Sequence, residues 1–258
     1  MKIVFFGASE LGWKCCRRIV EKKLAEITCI FTIPKEFNIS YSHKPVTNVN
    51  FADFHSLGKE FNIPVITVTA KMGEYTEEIR KYSPDMILVI GWYYIVPKSI
   101  REIPKLGCAG MHASLLPKYR GGAPLVWAMI NGEKKTGLTF FYLEEGVDNG
   151  DIIAQKEIPI EENDLISDLI AKTTEAALEI IDESIPLLAN GKAPRIRQDE
   201  AEATYVPQRK PEDGKIDWTW DSGRIRNFIR AQSKPYPGAF TEINGKKVII
   251  WNADIIEI

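Results

Sequence analysis

The first thirty-two residues narrow the possible folds more than any other part of the chain. Lys2–Phe6 is a continuous apolar run, Ser9–Val20 has helical spacing, and Glu26–Thr32 is a second β-rich run. Two strands that are apolar throughout, joined by a helix, predict a parallel sheet covered on both faces, because an exposed face would impose alternation. Gly7 and Gly12 frame the first turn. The segment GASELG lacks the middle glycine of a dinucleotide fingerprint, and no acidic residue ends the next strand. The expectation is therefore a tight turn whose amides are open to an anion, with no nicotinamide site.

Further strands are predicted at Ile63–Val68, Met86–Ile90, Gly107–Ala113, Thr136–Tyr142 and Gln155–Ile160, with helices at Met72–Tyr82 and Ala123–Asn131. A long helix follows, capped by Asn163 or Asp164. It buries Leu165, Leu169, Ala176, Ile180, Ile181 and Ile185 and is stopped by Asn190-Gly191. Residues 33–60 read as a long loop carrying two exposed histidines, His43 and His55. Lys192–Lys215 is polar and proline-rich and reads as a linker. Beyond it come a short helix at Ser222–Ala231 and a hairpin turning at Asn244-Gly245. The expected architecture is a doubly wound, mostly parallel α/β domain over residues 1–190. A linker and a small β-rich C-terminal subdomain occupy 191–258.

A formal net charge of −2 gives no global attraction to nucleic acid or membrane. The N-terminus is not a signal peptide, and no apolar stretch approaches the roughly 20 residues that span a bilayer. Cys15, Cys16, Cys29 and Cys108 lack metal or disulfide spacing and read as reduced thiols of a cytoplasmic protein, Cys108 being a small buried filler. With 3 histidines in the chain, no metal site is expected.

The chemistry concentrates between Gly107 and Gln155. His112 sits in a small-residue loop before a Leu-Leu-Pro turn, and Asp148 sits in an acidic Gly-Val-Asp-Asn-Gly-Asp loop after the next strand. This pairing can deliver an orienting carboxylate to a catalytic imidazole. The string His112, Ser114, Leu115, Leu116, Pro117, Tyr119, Arg120, Gly121, then Gly146, Asp148, Gly150 and Asp151, resembles the signature of the folate-dependent formyltransferases. Thr136-Gly137, DMILVIGWYYIVP, KIDW and PYPGAF extend the resemblance over nearly the whole chain.

That resemblance implies transfer of a formyl group from 10-formyltetrahydrofolate to an amine, without metal. His112 would face the oxyanion of the tetrahedral intermediate, and Asp148 would orient it and hold a proton-relaying water. Ile90, Gly91, Trp92, Tyr93, Gly146 and Asp148 would hold the folate; Ser114, Tyr119, Arg120 and Gly121 would face the acceptor. One position departs from the pattern. Gly110 stands where the family has a catalytic asparagine, a donor whose loss typically costs about 10²–10³ in rate. A compensated transferase, a hydrolase-type enzyme acting on the formyl donor and an impaired variant or binding module all remain open.

The acceptor expected from the sequence is the amine of a nucleotide-linked amino sugar, as in surface-polysaccharide pathways. Phe31–Val46 carries only Lys35, His43 and Lys44, which weakens tRNA as a partner. Trp92, Tyr93 and Tyr94 at a strand end offer an aromatic surface for a base. Arg120 and the Arg209-Lys210 pair are candidate diphosphate ligands. The apolar tail WNADIIEI leaves a homodimer open.

Overall fold

The computed structural model describes residues 1–38 and 45–256, so His43 and Lys44 lie outside the described residues. In chain order the first elements are β1 (Lys2–Phe6), α1 (Glu10–Glu21), β2 (Glu26–Thr32), β3 (Glu36–Phe37), β4 (Val46–Thr47), α2 (Phe54–Phe61), β5 (Val65–Thr67), α3 (Thr76–Lys81), β6 (Met86–Val89), α4 (Lys98–Arg101) and β7 (Cys108–His112). Then follow β8 (Arg120–Gly121), α5 (Pro124–Ile130), β9 (Lys135–Tyr142), β10 (Ile152–Pro159), α6 (Ile166–Ala189), β11 (Tyr205–Val206), α7 (Ser222–Ala231), β12 (Ala239–Ile243) and β13 (Lys246–Ile250). The chain forms two compact units. One holds Met1–Met111, Phe140–Gln155 and Ala177–Gln198; the other holds His112–Thr139, Lys156–Ala176 and Asp199–Ile258.

The first unit contains the main sheet, in the order β10-β9-β7-β6-β1-β2-β5. The pairs β1–β2, β1–β6, β2–β5 and β6–β7 are all parallel. Ile3, Val4, Phe5 and Phe6 are fully buried in succession, which is why the central strand reads as an unbroken apolar run. The doubly wound, mostly parallel α/β fold expected from the sequence is the one observed.

The first turn differs from expectation. The amides of Gly7, Ala8 and Glu10 are taken by the carbonyls of Phe31, Gly91 and Asn50 at 2.8–3.0 Å, leaving none of the three for an anion. A side chain at Gly12 would strike the carbonyl of Ile90, and Gly91 has φ +65°. These glycines let the first turn of α1 and the loop after β6 meet at backbone contact.

Residues 33–60 are not one loop. They contain the β3–β4 ribbon and α2, whose N-cap Asp53 accepts from the amides of His55 and Ser56. His55 is thus a helical residue, with Nε2 2.8 Å from Thr67 Oγ1. The start of α6 is also revised. Asp168 accepts the Leu165 amide at 2.8 Å, whereas Asp164 accepts from the Glu161 amide and Lys172. The stop is as read: Gly191 has φ +65°, and the Lys192 amide returns to Leu187. Asp182 on α6 binds Arg18 at 2.6 Å and Lys22 at 2.8 Å. The hydrogen bond from Arg18, with help from Lys22, holds its carboxyl down at about 2.

In the second unit, α5 packs with α7, β8 pairs in parallel with β11, and β12–β13 form the expected hairpin, with Asn244 and Gly245 both at positive φ. The supposed linker is built structure. Ile196 bridges to Ile152 in the first unit, while 3₁₀ turns at Glu200–Glu202 and Pro211–Gly214 flank β11 in the second.

Candidate functional site

The catalytic candidates are shaped by two sets of braces, one in each unit. His112 ends β7 and is 8% exposed. Its Nε2 lies 2.7 Å from the carbonyl oxygen of Tyr119. A carbonyl only accepts, so Nε2 carries the hydrogen, and in the neutral ring Nδ1 is the acceptor. The partner of Nε2 is a backbone group seven residues on.

The Ser114–Gly121 segment is tied down residue by residue. Ser114 Oγ donates to the Lys118 carbonyl, and Thr139 Oγ1 bridges from the Leu116 amide to the Ser114 carbonyl at 2.7 Å. Tyr119 takes φ +59°, its amide donates to Thr204, and its hydroxyl donates to Glu133. Gly121 has φ +104° and lies against the Val206 backbone. These bonds fix the carbonyl that orients His112.

Arg120 has a different task from the one read in the sequence. Its side chain is 0% exposed, fork-bonded to Glu200 at 2.8 and 2.9 Å, and reaches the Tyr205 hydroxyl at 2.9 Å. A guanidinium so engaged clamps β8 to the segment before β11 and is not poised for a diphosphate. Arg209 is half-buried and likewise engaged: it donates to the Asp213 carbonyl and Gln232 and covers Trp127 and Phe228, and burial lowers its pKa.

In the first unit, Asp148 takes φ +48° within the β9–β10 loop, and Gly146 takes φ +116°. Gln198 Nε2 donates to the carbonyls of both Asp148 and Gly150 at 2.8 Å. Arg195 lies 3.9 Å from the Tyr142 ring centre and bonds Asp151 at 3.2 Å. Sequence reasoning missed Gln198 and Arg195 because they lie in the proline-rich stretch. Nothing in Arg195, Ile196, Arg197, Gln198 marked the segment: its apolar residue Ile196 is exposed and its buried one, Gln198, is polar.

Ile90–Tyr93 leave β6 and pack into the sheet-end cluster. Trp92 meets Phe6 at 5.4 Å and Tyr94 edge-on, and Tyr93 meets Phe37 at 5.0 Å and donates to Asn48. Gly110 pairs with Val89 on β6. A Cβ there would sit 2.9 Å from the Val89 carbonyl oxygen and 3.2 Å from Leu143 Cδ2. Leu143 also walls a cavity of about 430 Å³, lined by Arg101, Cys108, Tyr142, Glu144, Leu188 and Arg195 among others. Cys108 is buried, and desolvation drives its thiol far upward, so it is inert filler there. Among the described residues, no group of three or more metal-ligating side chains gathers, and no helix is long and apolar enough to cross a membrane.

A parallel α/β sheet, a histidine on its strand end and a shaped Gly-x-Asp-x-Gly-Asp loop define the class of one-carbon group transferases. The chain belongs to the formyl transferase family. The family's "Formyl transferase" domain matches residues 1–185, and the "Formyl transferase, C-terminal domain" matches residues 209–258. Its formyl donor is 10-formyltetrahydrofolate. The chain is 36% identical to the methionyl-tRNA formyltransferase of Clostridioides difficile strain 630 over 261 aligned residues, which cover 100% of this chain and 81% of that protein. Among solved structures, a sugar N-formyltransferase from Shewanella sp FDAARGOS_354 superposes with a TM-score of 0.77 at 18% identity, covering 100% and 99% of the two chains. A methionyl-tRNA formyltransferase from Clostridium thermocellum gives 0.62 at 23%, covering 95% and 88%. Both likenesses show the fold.

The acceptor expected from sequence is corrected. Relatives 32–37% identical over 95–100% of this chain are methionyl-tRNA formyltransferases, which overturns the nucleotide-sugar reading and the polysaccharide role attached to it. Counting cations in Phe31–Val46 was a poor guide, because one loop samples little of a phosphate-binding surface.

Proposed function

We propose that this chain formylates the amine of methionine carried on tRNA, with 10-formyltetrahydrofolate as donor. The observation that carries the reading is the whole-chain identity to methionyl-tRNA formyltransferases. The amine nitrogen attacks the formyl carbon, the carbonyl electrons move to oxygen, and collapse expels the folate nitrogen, which takes a proton as the amine loses one. His112, held at Nε2 by the Tyr119 carbonyl, is the group that exchanges protons with the reacting groups. Asp148 supplies the acidic group of the second loop. Gly110 has no side-chain donor, so oxyanion stabilisation falls on His112 in its protonated, doubly donating form.

The folate is assigned to Ile90–Tyr93, where the chain leaves β6, and to the Gly146–Asp148 loop, the residues that the family resemblance implies. A tRNA substrate places the enzyme in the cytoplasm. The test is tetrahydrofolate release with methionyl-tRNA, with amino-sugar nucleotides and with no acceptor. Release should require methionyl-tRNA and fall about 10²–10⁴-fold in His112→Ala. Release without acceptor, or an unchanged rate in His112→Ala, overturns the proposal.

A further inference from the structure

Tyr205 on β11 is 62% exposed, yet its ring is held in place. The hydroxyl accepts from Arg120 at 2.9 Å, and the guanidinium carbon of Arg120 lies 5.7 Å from the ring centre. A ring pinned at its tip and bare along its body loses little freedom when something stacks on it. The neighbouring carboxylate of Glu200 is met by the Arg120 fork at 2.8 and 2.9 Å, so its charge does not stand unbalanced beside the ring. One residue earlier, Thr204 accepts the Tyr119 amide at its hydroxyl and donates its own amide to the Pro117 carbonyl. That pairing brings Lys118 alongside β11. Lys118 is exposed, and among the described residues its ammonium makes no hydrogen bond or ion pair. An aromatic face beside an unspent cation is the combination that holds single-stranded nucleic acid.

Tyr205 is the register partner of Arg120, and the residue before Arg120 supplies the carbonyl that holds His112. One residue and one strand spacing separate that residue from Tyr205, about 9 Å of backbone. His112, Lys118, Tyr119, Arg120 and Tyr205 all belong to the second unit. In an aminoacylated tRNA the last, unpaired base lies one ribose and one ester away from the amine, a span of the same order. We infer that this terminal base stacks on the exposed face of Tyr205, with Lys118 on the adjoining phosphate, and that the stack brings the methionyl amine to His112. Stacking tolerates any base, so the pair grips the end of the acceptor without reading its sequence. Tyr205 touches neither the amine nor the formyl group and is a positioning residue.

This rests on methionyl-tRNA being the acceptor. The experiment is steady-state formylation of methionyl-tRNA by the full chain and by Tyr205→Leu, Tyr205→Phe and Trp218→Leu, with a fluorescence titration using tRNA that carries 2-aminopurine as its last base. Tyr205→Leu should raise KM for the tRNA about 5- to 100-fold with kcat retained. Tyr205→Phe keeps the ring and should stay within about threefold of wild type. Trp218, also exposed but donating to Thr241 on β12, should be silent. The 2-aminopurine emission should fall on binding wild type and Tyr205→Phe, and hold steady with Tyr205→Leu. Lys118→Gln should flatten the slope of log affinity against log salt by about 0.7. If wild type formylates methionyl-tRNA and Tyr205→Leu keeps KM within about twofold, the inference falls and the function stands. Equal losses in Tyr205→Phe and Tyr205→Leu also overturn it, because they trace the effect to the hydroxyl tie with Arg120. No formylation of methionyl-tRNA by wild type removes both.

Discussion

Restoring a side chain at residue 110 is the sharpest probe of this site. A Cβ at Gly110 meets the Val89 carbonyl oxygen at 2.9 Å, a partner locked in the β6–β7 ladder, and Leu143 at 3.2 Å. Only Leu143 can yield. Overpacking of this kind costs about 1–3 kcal/mol, and at about 2–4 °C per kcal/mol for a chain of this size Gly110→Ala should melt roughly 2–12 °C below wild type. Gly110→Asn adds two polar atoms in the same crowded space, so it should melt no higher and turn over no faster. The assays are thermal unfolding followed by circular dichroism and methionyl-tRNA-dependent tetrahydrofolate release. Gly110→Ala melting within a degree of wild type would refute the steric account. A gain in turnover of about 10²–10³-fold in Gly110→Asn would show an enzyme waiting for its missing oxyanion donor.

Three further outcomes follow from the braces. Arg120→Ala empties a fully buried position while Glu200, mostly exposed, returns to water, so it should lose about 1–3 kcal/mol in denaturant titration; a loss under about 0.5 kcal/mol contradicts the clamp. Gln198→Ala removes the shared donor of the Asp148 and Gly150 carbonyls; turnover should drop about 10- to 100-fold through misplacement of the loop, and unchanged turnover would mean the loop holds itself. Asp182 has a depressed carboxyl, so its contribution is present above the ordinary carboxylate pKa and lost as pH falls from about 4 to about 2. Partly exposed as it is, it should contribute about 1–2 kcal/mol at neutral pH. Asp182→Asn should flatten the stability profile over that window, and parallel profiles would dismiss the ion pair as a stabiliser.

The sheet was legible because β1, β2 and β6 are apolar on both faces, and only a doubly covered parallel sheet tolerates that. Helix α2 was hidden by its brevity: Phe54 and Leu57 are its buried anchors, too few for a period to stand out, although Asp53 marked its start. His112 and the Asp148 loop could be picked out by their words. Their supports could not, because Thr204, Glu200 and Gln198 lie far along the chain and only folding brings them to Tyr119, Arg120 and Asp148. Arg120 looked like a ligand for the same reason. An arginine beside a site announces its charge, but its partner 80 residues on is silent until the backbone is closed.

The segment from Arg195 to Gln198 decides where this chain can be cut. Division at Gly191 looks natural, since α6 ends there with a left-handed residue. A fragment stopping at residue 190 would shed the amide that caps two carbonyls of the Asp148 loop, the cation stacked on Tyr142 and the bridge partner of Ile152. A cut that keeps these contacts falls beyond Gln198, and one that also keeps the ties of Tyr119 and Arg120 falls beyond Tyr205.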